Sequence, residues 1–286
     1  MWKNEKWKDY ELLDTGDGER LERWGKYILI RPDPQVIWHT ERDPALWNRA
    51  DAGYRRSRAG GGAWSENTLP EKWTIGYGDL TFRIHPTGFK HTGLFPEQAV
   101  NWDWMRSLIG GAGRPVRVLN LFAYTGGATV AAAKAGASVC HVDAARGMVD
   151  VAKENAFLSG LEQAPIRYIV DDCKKFVERE IRRKNRYDAI IMDPPSYGRG
   201  PGGEVWKIEE CIDGLLALTA RVLSDHPLFF LLNSYTTGLS VSAMKYMTDL
   251  RIGRRFGGQG TADELGLPVK ASGGFLPCGG SVRHVF

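Results

Sequence analysis

Val116-Arg117-Val118-Leu119-Asn120-Leu121-Phe122-Ala123-Tyr124-Thr125-Gly126-Gly127 runs from an apolar strand into a glycine pair, and the fold follows from how that run is read. Gly126-Gly127 admits positive φ and lets backbone come close to a ligand. The residues that follow are Ala-rich and predict a helix stopped by Gly136, a natural cap. The same unit then recurs. Ser138–Val142 reads as a strand ending in Asp143, and a helix from Ala145 to Leu158 closes at Gly160. Arg167–Val170 reads as a strand ending at Asp171-Asp172, followed by a charged amphipathic helix towards Asn185. Tyr187–Met192 is an apolar strand ending at Asp193, and a helix over Lys207–Leu223 leads to the strand Leu228–Leu232. A helix over Glu97–Ile109 precedes the series, and Ser281–Phe286 is expected to add an antiparallel edge strand. Unbroken apolar strands alternating with helices predict an α/β, Rossmann-like fold: a mostly parallel sheet covered by helices on both faces.

Upstream the pattern differs. Runs such as Tyr27–Pro32 and Leu80–Ile84 are short, apolar and broken by Gly, Pro and Asp, which predicts strands and turns. Residues 1–88 are therefore expected to form a small β-rich domain, substrate-facing or a cap, ahead of a catalytic domain over 89–286. Most of the ten tryptophans precede residue 105, and Trp24, Trp38, Trp47, Trp64 and Trp73 are expected mainly to fill that domain's core. Arg55–Gly62 reads as a mobile basic loop, and Arg182–Arg186 as a solvated charge run. The 286 residues are 43% hydrophobic, with no apolar stretch near the roughly 20 residues of a membrane span and no apolar leader. Cys140, Cys173, Cys211 and Cys278 are scattered and include no C-x-x-C pair, which fits reduced thiols in a cytoplasm. The six histidines show no metal-binding spacing, and no metal is expected. A net charge of +4 permits a polyanionic partner without requiring one.

In a sheet of this kind ligands bind beyond the C-terminal strand ends, where the strand order reverses. One Asp after a strand is ordinarily a helix cap. Asp143, Asp172 and Asp193 follow three successive strands behind one glycine turn, and together they point to a nucleoside site. Asp143 lies 17 residues beyond Gly126, near where an acid in this architecture accepts from ribose hydroxyls. Neither G-x-G-x-x-G nor a G-x-x-x-x-G-K-[ST] loop is present to cradle a pyrophosphate. A nucleoside without phosphates fits better, which favours S-adenosylmethionine over NAD or ATP.

The segments V-L-N-L-F-A-Y-T-G-G-A-T, I-V-D-D-C-K-K-F-V and I-I-M-D-P-P-S-Y keep the order and form of a known group. They resemble the bacterial ribosomal RNA large-subunit methyltransferases of the cytosine-C5 and guanine-N7 type. Lys90–Gln98 looks like that family's cofactor-entry segment, and the resemblance covers about Phe89 to Leu239. It implies that Gln98 and the turn at Phe122, Tyr124 and Gly126 hold the methionine part of the cofactor. It further implies that Asp143 binds the ribose and that Asp172, with the Cys173 backbone, recognises the adenine. Asp193, fixed by Pro194-Pro195, would then stand beside the methyl group, with Tyr197 stacking on a flat substrate. No part of residues 1–88 matches the RNA-binding module those relatives carry at their N-terminus.

Methylating a pyrimidine ring carbon needs covalent activation, normally by a thiolate. In the cytosine-modifying relatives that Cys follows the strand after D-P-P, where this chain reads Asn233-Ser234-Tyr235-Thr236-Thr237-Gly238-Leu239. A nitrogen acceptor is favoured, with RNA, above all ribosomal RNA, as expected partner. Ser196 before Tyr197 departs from the strict amino-methylating motif. Two other readings stay open: a protein or small-molecule methyltransferase, and a binding protein that keeps the cofactor without catalysis.

Overall fold

A computed structural model describes residues 1–57, 61–65, 69–87, 90–199 and 205–286. Two compact units emerge: Met1–Ala99 with Gly266–Cys278, and Val100–Leu265 with Gly279–Phe286. The boundary read from the sequence falls at residues 88 and 89, outside the described set.

The first unit is built on a five-stranded sheet of Tyr10–Gly16, Glu19–Trp24, Tyr27–Pro32, Ala52–Arg56 and Gly62–Ser65, in sequence order. Trp73–Tyr77 and Leu80–Ile84 form a separate hairpin. Leu13, Leu21, Ile28 and Trp47 make one apolar cluster of this unit. Trp24 is fully buried against Tyr10, whereas Trp38, expected inside, is 36% exposed. The basic stretch also departs from expectation. Arg55 and Arg56 belong to a strand, and Arg55 pairs with Ala63 across a hairpin, because Tyr54 and Trp64 stack edge-on beside them. Arg58, Ala59 and Gly60 of that stretch lie outside the described residues.

A buried ionic group sits in this sheet. Glu22 faces Leu29 on the neighbouring strand, so Arg31 is its diagonal neighbour. Arg31 donates from Nε and Nη2 to the Glu22 carboxylate at 2.5 and 2.8 Å, and the Tyr10 hydroxyl donates to it at 2.7 Å. Arg31 also donates to the Lys90 carbonyl at 3.1 Å, tying the start of the Lys90–Gln98 segment to the sheet.

The second unit carries the α/β pattern. Its elements are α1 (Ala99–Gly111), β1 (Arg117–Leu121), α2 (Gly127–Lys134), β2 (Ser138–Asp143), α3 (Arg146–Leu158), β3 (Ile166–Val170) and α4 (Cys173–Arg182). Then come β4 (Ala189–Met192), α5 (Ile208–Thr219), β5 (Phe229–Ser234), α6 (Val241–Thr248), β6 (Gln259–Pro268) and β7 (Phe275–Val285), of which Gly266–Pro268 and Phe275–Cys278 count with the first unit. The strand order is β3-β2-β1-β4-β5-β7-β6. Strands β1 to β5 are parallel, and β7 runs antiparallel to β5. The C-terminal strand is therefore an interior strand and not the edge expected for it. The polar, Gly-rich β6 lies beyond it, and its composition hid it in the sequence.

Alternate residues of β1 face opposite sides, as a strand requires. Leu119 and Leu121 join a core with Phe176 of α4 and Ile208, Ile212 and Leu215 of α5. Asn120 turns the other way and donates to Thr129 of α2 at 2.9 Å. Helices α2 and α3 pack together, as do α4 and α5. No helix among the described residues is long and apolar enough to cross a membrane.

Candidate active site

The order reverses between β1 and β4, so the chain leaves these neighbours in opposite directions and opens a crevice at their C-terminal ends. The Phe122–Gly127 turn lies there. Three of its residues have left-handed backbones: Phe122 at φ 55°, Tyr124 at 48° and Gly126 at 82°. For the first two, which carry side chains, this costs roughly 1–2 kcal/mol each and must be held by neighbours.

Those neighbours can be named. Asp143, at the end of β2, accepts from the Tyr124 N–H and the Ala145 N–H, both at 2.8 Å, one on each oxygen. The Cys173 sulfur accepts from the Phe122 N–H at 3.2 Å. The fully buried Asn155 donates to the Thr125 carbonyl at 2.8 Å. A Cβ on Gly126 would meet the Ala152 Cβ at 2.8 Å, and one on Gly127 would meet the Trp102 ring at 2.7 Å. The glycine pair is thus required by close packing as well as by φ.

A polar chain inside the fold supports the turn. Asn120 Nδ2 donates to Thr129 Oγ1, which shares a hydrogen bond with His141 Nδ1 at 2.9 Å. Burial pushes the His141 pKa down to about 4, so the ring is neutral. Neither Cys173 as a prop nor this chain was legible in the sequence, because an Asn, a Thr and a His spaced along separate elements carry no local signal.

Asp143 and Asp172, expected to hold a nucleoside, stand at the ends of β2 and β3. Burial raises the Asp143 pKa against the two backbone bonds it accepts. Each of its oxygens keeps a further lone pair for a hydroxyl donor. Asp172 is also the N-cap of α4, with Oδ1 accepting from the Lys175 N–H at 2.8 Å. The cap occupies Oδ1 alone, which leaves Oδ2 for the ligand that the sequence leads one to expect there. Gln98 belongs to the first unit, buried in the single turn Pro96–Gln98.

Asp193 leaves β4 with its N–H donating to the Leu121 carbonyl at 3.4 Å, one residue from Phe122. Pro194 and Pro195 have no N–H, so this stretch offers a substrate acceptors only. The Pro195 carbonyl accepts from Trp206 Nε1 at 2.6 Å, and the Ser196 carbonyl from the Ile208 N–H at 3.1 Å. Thr236, beyond β5, donates to the Ser196 hydroxyl at 2.7 Å. Tyr197 is 53% exposed.

A further buried cluster braces the end of β5. Asn101 of α1 donates to Asn233 Oδ1 at 3.2 Å and to Ser281 Oγ at 3.0 Å, and Arg283 Nε donates to Asn101 Oδ1 at 2.9 Å. The thiols contribute little chemistry. Cys278 is buried in the first unit, its sulfur 3.4 Å from the Leu276 carbonyl, and burial drives its pKa up. Burial likewise raises Cys140, to about 11, and Cys173.

The model of a family described as S-adenosylmethionine-dependent methyltransferases matches residues 49–206. A solved SAM-dependent methyltransferase from Agrobacterium tumefaciens is 37% identical, covering 99% of this chain and 92% of that one at a TM-score of 0.93. A putative methyltransferase solved in complex with SAH shares the fold at a TM-score of 0.72 and 22% identity, over 98% of this chain and 76% of that one. The ribosomal RNA large subunit methyltransferase K/L of Shewanella frigidimarina is 36% identical over 143 residues, 48% of this chain. The match spans about a fifth of that relative's length, 19%.

Proposed function

Because the chain belongs to the S-adenosylmethionine-dependent methyltransferase family, we propose that it methylates a base of RNA, with ribosomal RNA the first candidate and nitrogen the acceptor atom. It is an enzyme, and its cofactor is S-adenosylmethionine, which supplies a methyl group on a sulfonium. The observation that carries the reading is Asp193. Its N–H donates to Leu121 at the start of the cofactor turn, and an acceptor-only Pro-Pro follows it. A nitrogen brings its own lone pair, so the enzyme's task is alignment. The Asp193 carboxylate accepts from the base N–H and takes its proton, while Tyr197 stacks on the ring. A carbon acceptor is disfavoured, because hydroxyls of Ser196 and Thr236 stand where a thiolate would be needed. The names of the curated relatives support RNA, and through it a cytoplasmic site of action.

In this reading Phe122, Tyr124 and Gly126 hold the methionine part, Asp143 the ribose, and Asp172 with the Cys173 backbone the adenine. Gln98 joins the methionine set on the resemblance alone. Residues 1–88 serve the substrate. RNA from a strain lacking the protein, incubated with radiolabelled cofactor, should take up label on a nitrogen. Label entering only protein or metabolite extracts would move the reading to those substrates.

Two variants check the site map. Asp143→Ala and Asp172→Asn should each weaken SAH binding in calorimetry by roughly 1–3 kcal/mol, the cost of losing a buried polar partner. Asp172→Asn retains a cap, so its loss would not come from unfolding α4. Unchanged affinity in both would remove these residues from the site. Cys278→Ala should keep turnover within about twofold, and a collapse of activity with intact folding would reinstate a thiol mechanism.

A further inference from the structure

Trp206 lies in neither sequence motif, yet its side chain touches the segments that carry both. The short strand Val205–Lys207 pairs antiparallel with Tyr197–Arg199, so the chain folds back onto the Asp193–Ser196 stretch. The indole N–H donates to the Pro195 carbonyl at 2.6 Å. Its ring packs on Phe122, centroids 5.3 Å apart and planes at 51°. Phe122 is one of the two left-handed residues of the turn that carry side chains, its φ being 55°. Both rings lie against the core between the sheet and helices α4 and α5, which gives them a fixed support.

The two halves of the side chain therefore act on different partners. The ring buttresses a strained backbone that is stable only when its surroundings determine it. The N–H holds a carbonyl in a stretch that cannot brace itself, since neither Pro194 nor Pro195 has a backbone donor. We propose that Trp206 is a positioning residue: its ring maintains the cofactor turn through Phe122, and its N–H sets the Asp193–Ser196 stretch for transfer through the Pro195 carbonyl. This rests on reading that stretch as the reactive one.

Trp206→Phe and Trp206→Ala separate the two effects. Two readouts are needed: SAH affinity by calorimetry, which requires no methyl acceptor, and single-turnover transfer to RNA from the deletion strain. Trp206→Phe keeps a ring and loses the donor. Its SAH affinity should stay within about twofold while transfer falls about tenfold, the scale of one hydrogen bond. Trp206→Ala should lose about tenfold in transfer and also about five- to tenfold in SAH affinity. A purely structural role would move both readouts together in both variants, in step with melting temperature, and would overturn the proposal. So would wild-type transfer in Trp206→Phe. Should Trp206→Ala fail to fold, the Phe variant decides alone: retained affinity with lost transfer supports the assignment, and any other pattern rejects it. Should the RNA accept no label even from the unaltered protein, the RNA reading fails, while the affinity difference between the variants still tests the ring's role.

Discussion

Asp193→Ala is expected to lower single-turnover methyl transfer by about 10²–10³-fold and to leave SAH affinity within about threefold. On the proposed site map the two quantities part, because the carboxylate at the end of β4 serves the acceptor, while the Phe122–Gly127 turn is held by Asp143, Asn155 and Cys173. A base nitrogen that gains a methyl group gains positive character, and a fixed carboxylate nearby stabilises it. Asp193→Asn keeps an acceptor oxygen without the charge, so its activity should fall between the other two. The measurement is radiolabel transfer to deletion-strain RNA with each variant saturated in cofactor. Transfer by Asp193→Ala within threefold of the unaltered protein would remove the residue from the reaction.

The largest stability effect is expected far from that residue in sequence, at Glu22. Burial alone would raise its pKa. Arg20 and Arg31, with hydrogen bonds from Arg31 and Tyr10, outweigh that and hold it near 2 against a usual 4.5. Glu22→Ala leaves Arg31, 2% exposed, without its charge partner. Breaking one side of such a pair costs about 3–5 kcal/mol, much of it the stranded charge. The pH dependence has a definite sign. A carboxylate with a depressed native pKa contributes stability above its unfolded pKa, and that contribution disappears as pH falls from about 4.5 towards 2. Urea midpoints of the unaltered protein should therefore drop through this range, and those of Glu22→Gln should start lower and change less. Equal slopes would mean that Glu22 does not titrate as the geometry requires.

The α/β unit is largely legible from its sequence, and for a physical reason. The central strands β1, β4 and β5 are buried along nearly their whole length and so are written as apolar runs, and β2 and β4 each run into an Asp. Met192-Asp193 and Val142-Asp143 show both features in adjacent residues. What escaped depends on residues brought together from separate elements. Nothing near Asn101 signals that it joins Asn233, Ser281 and Arg283 in one buried cluster. Trp206, the one tryptophan after Trp104, has no spacing to link it to Phe122. The strand β6, Gln259–Pro268, opens polar and Gly-rich, and pairing rather than composition makes it a strand. Arg55-Arg56 read as loop because their cross-strand partners, Ala63 and Gly62, have almost no strand preference of their own.

The assignment of Gly266–Cys278 to the first unit has a consequence for how the protein is made. Lys270 donates its N–H to the Leu12 carbonyl at 3.0 Å, and its ammonium reaches Glu11 across 259 residues of sequence. A ribosome adds about 5–20 residues per second, so Leu12 waits roughly 10–50 s for this partner to be synthesised. The part of the chain made first is thus among the last to be completed. A nascent chain halted before Gly266 carries a folded-in-principle β1–β5 region beside an N-terminal sheet whose Leu12 carbonyl is still exposed. During translation that edge is open to pairing with another chain.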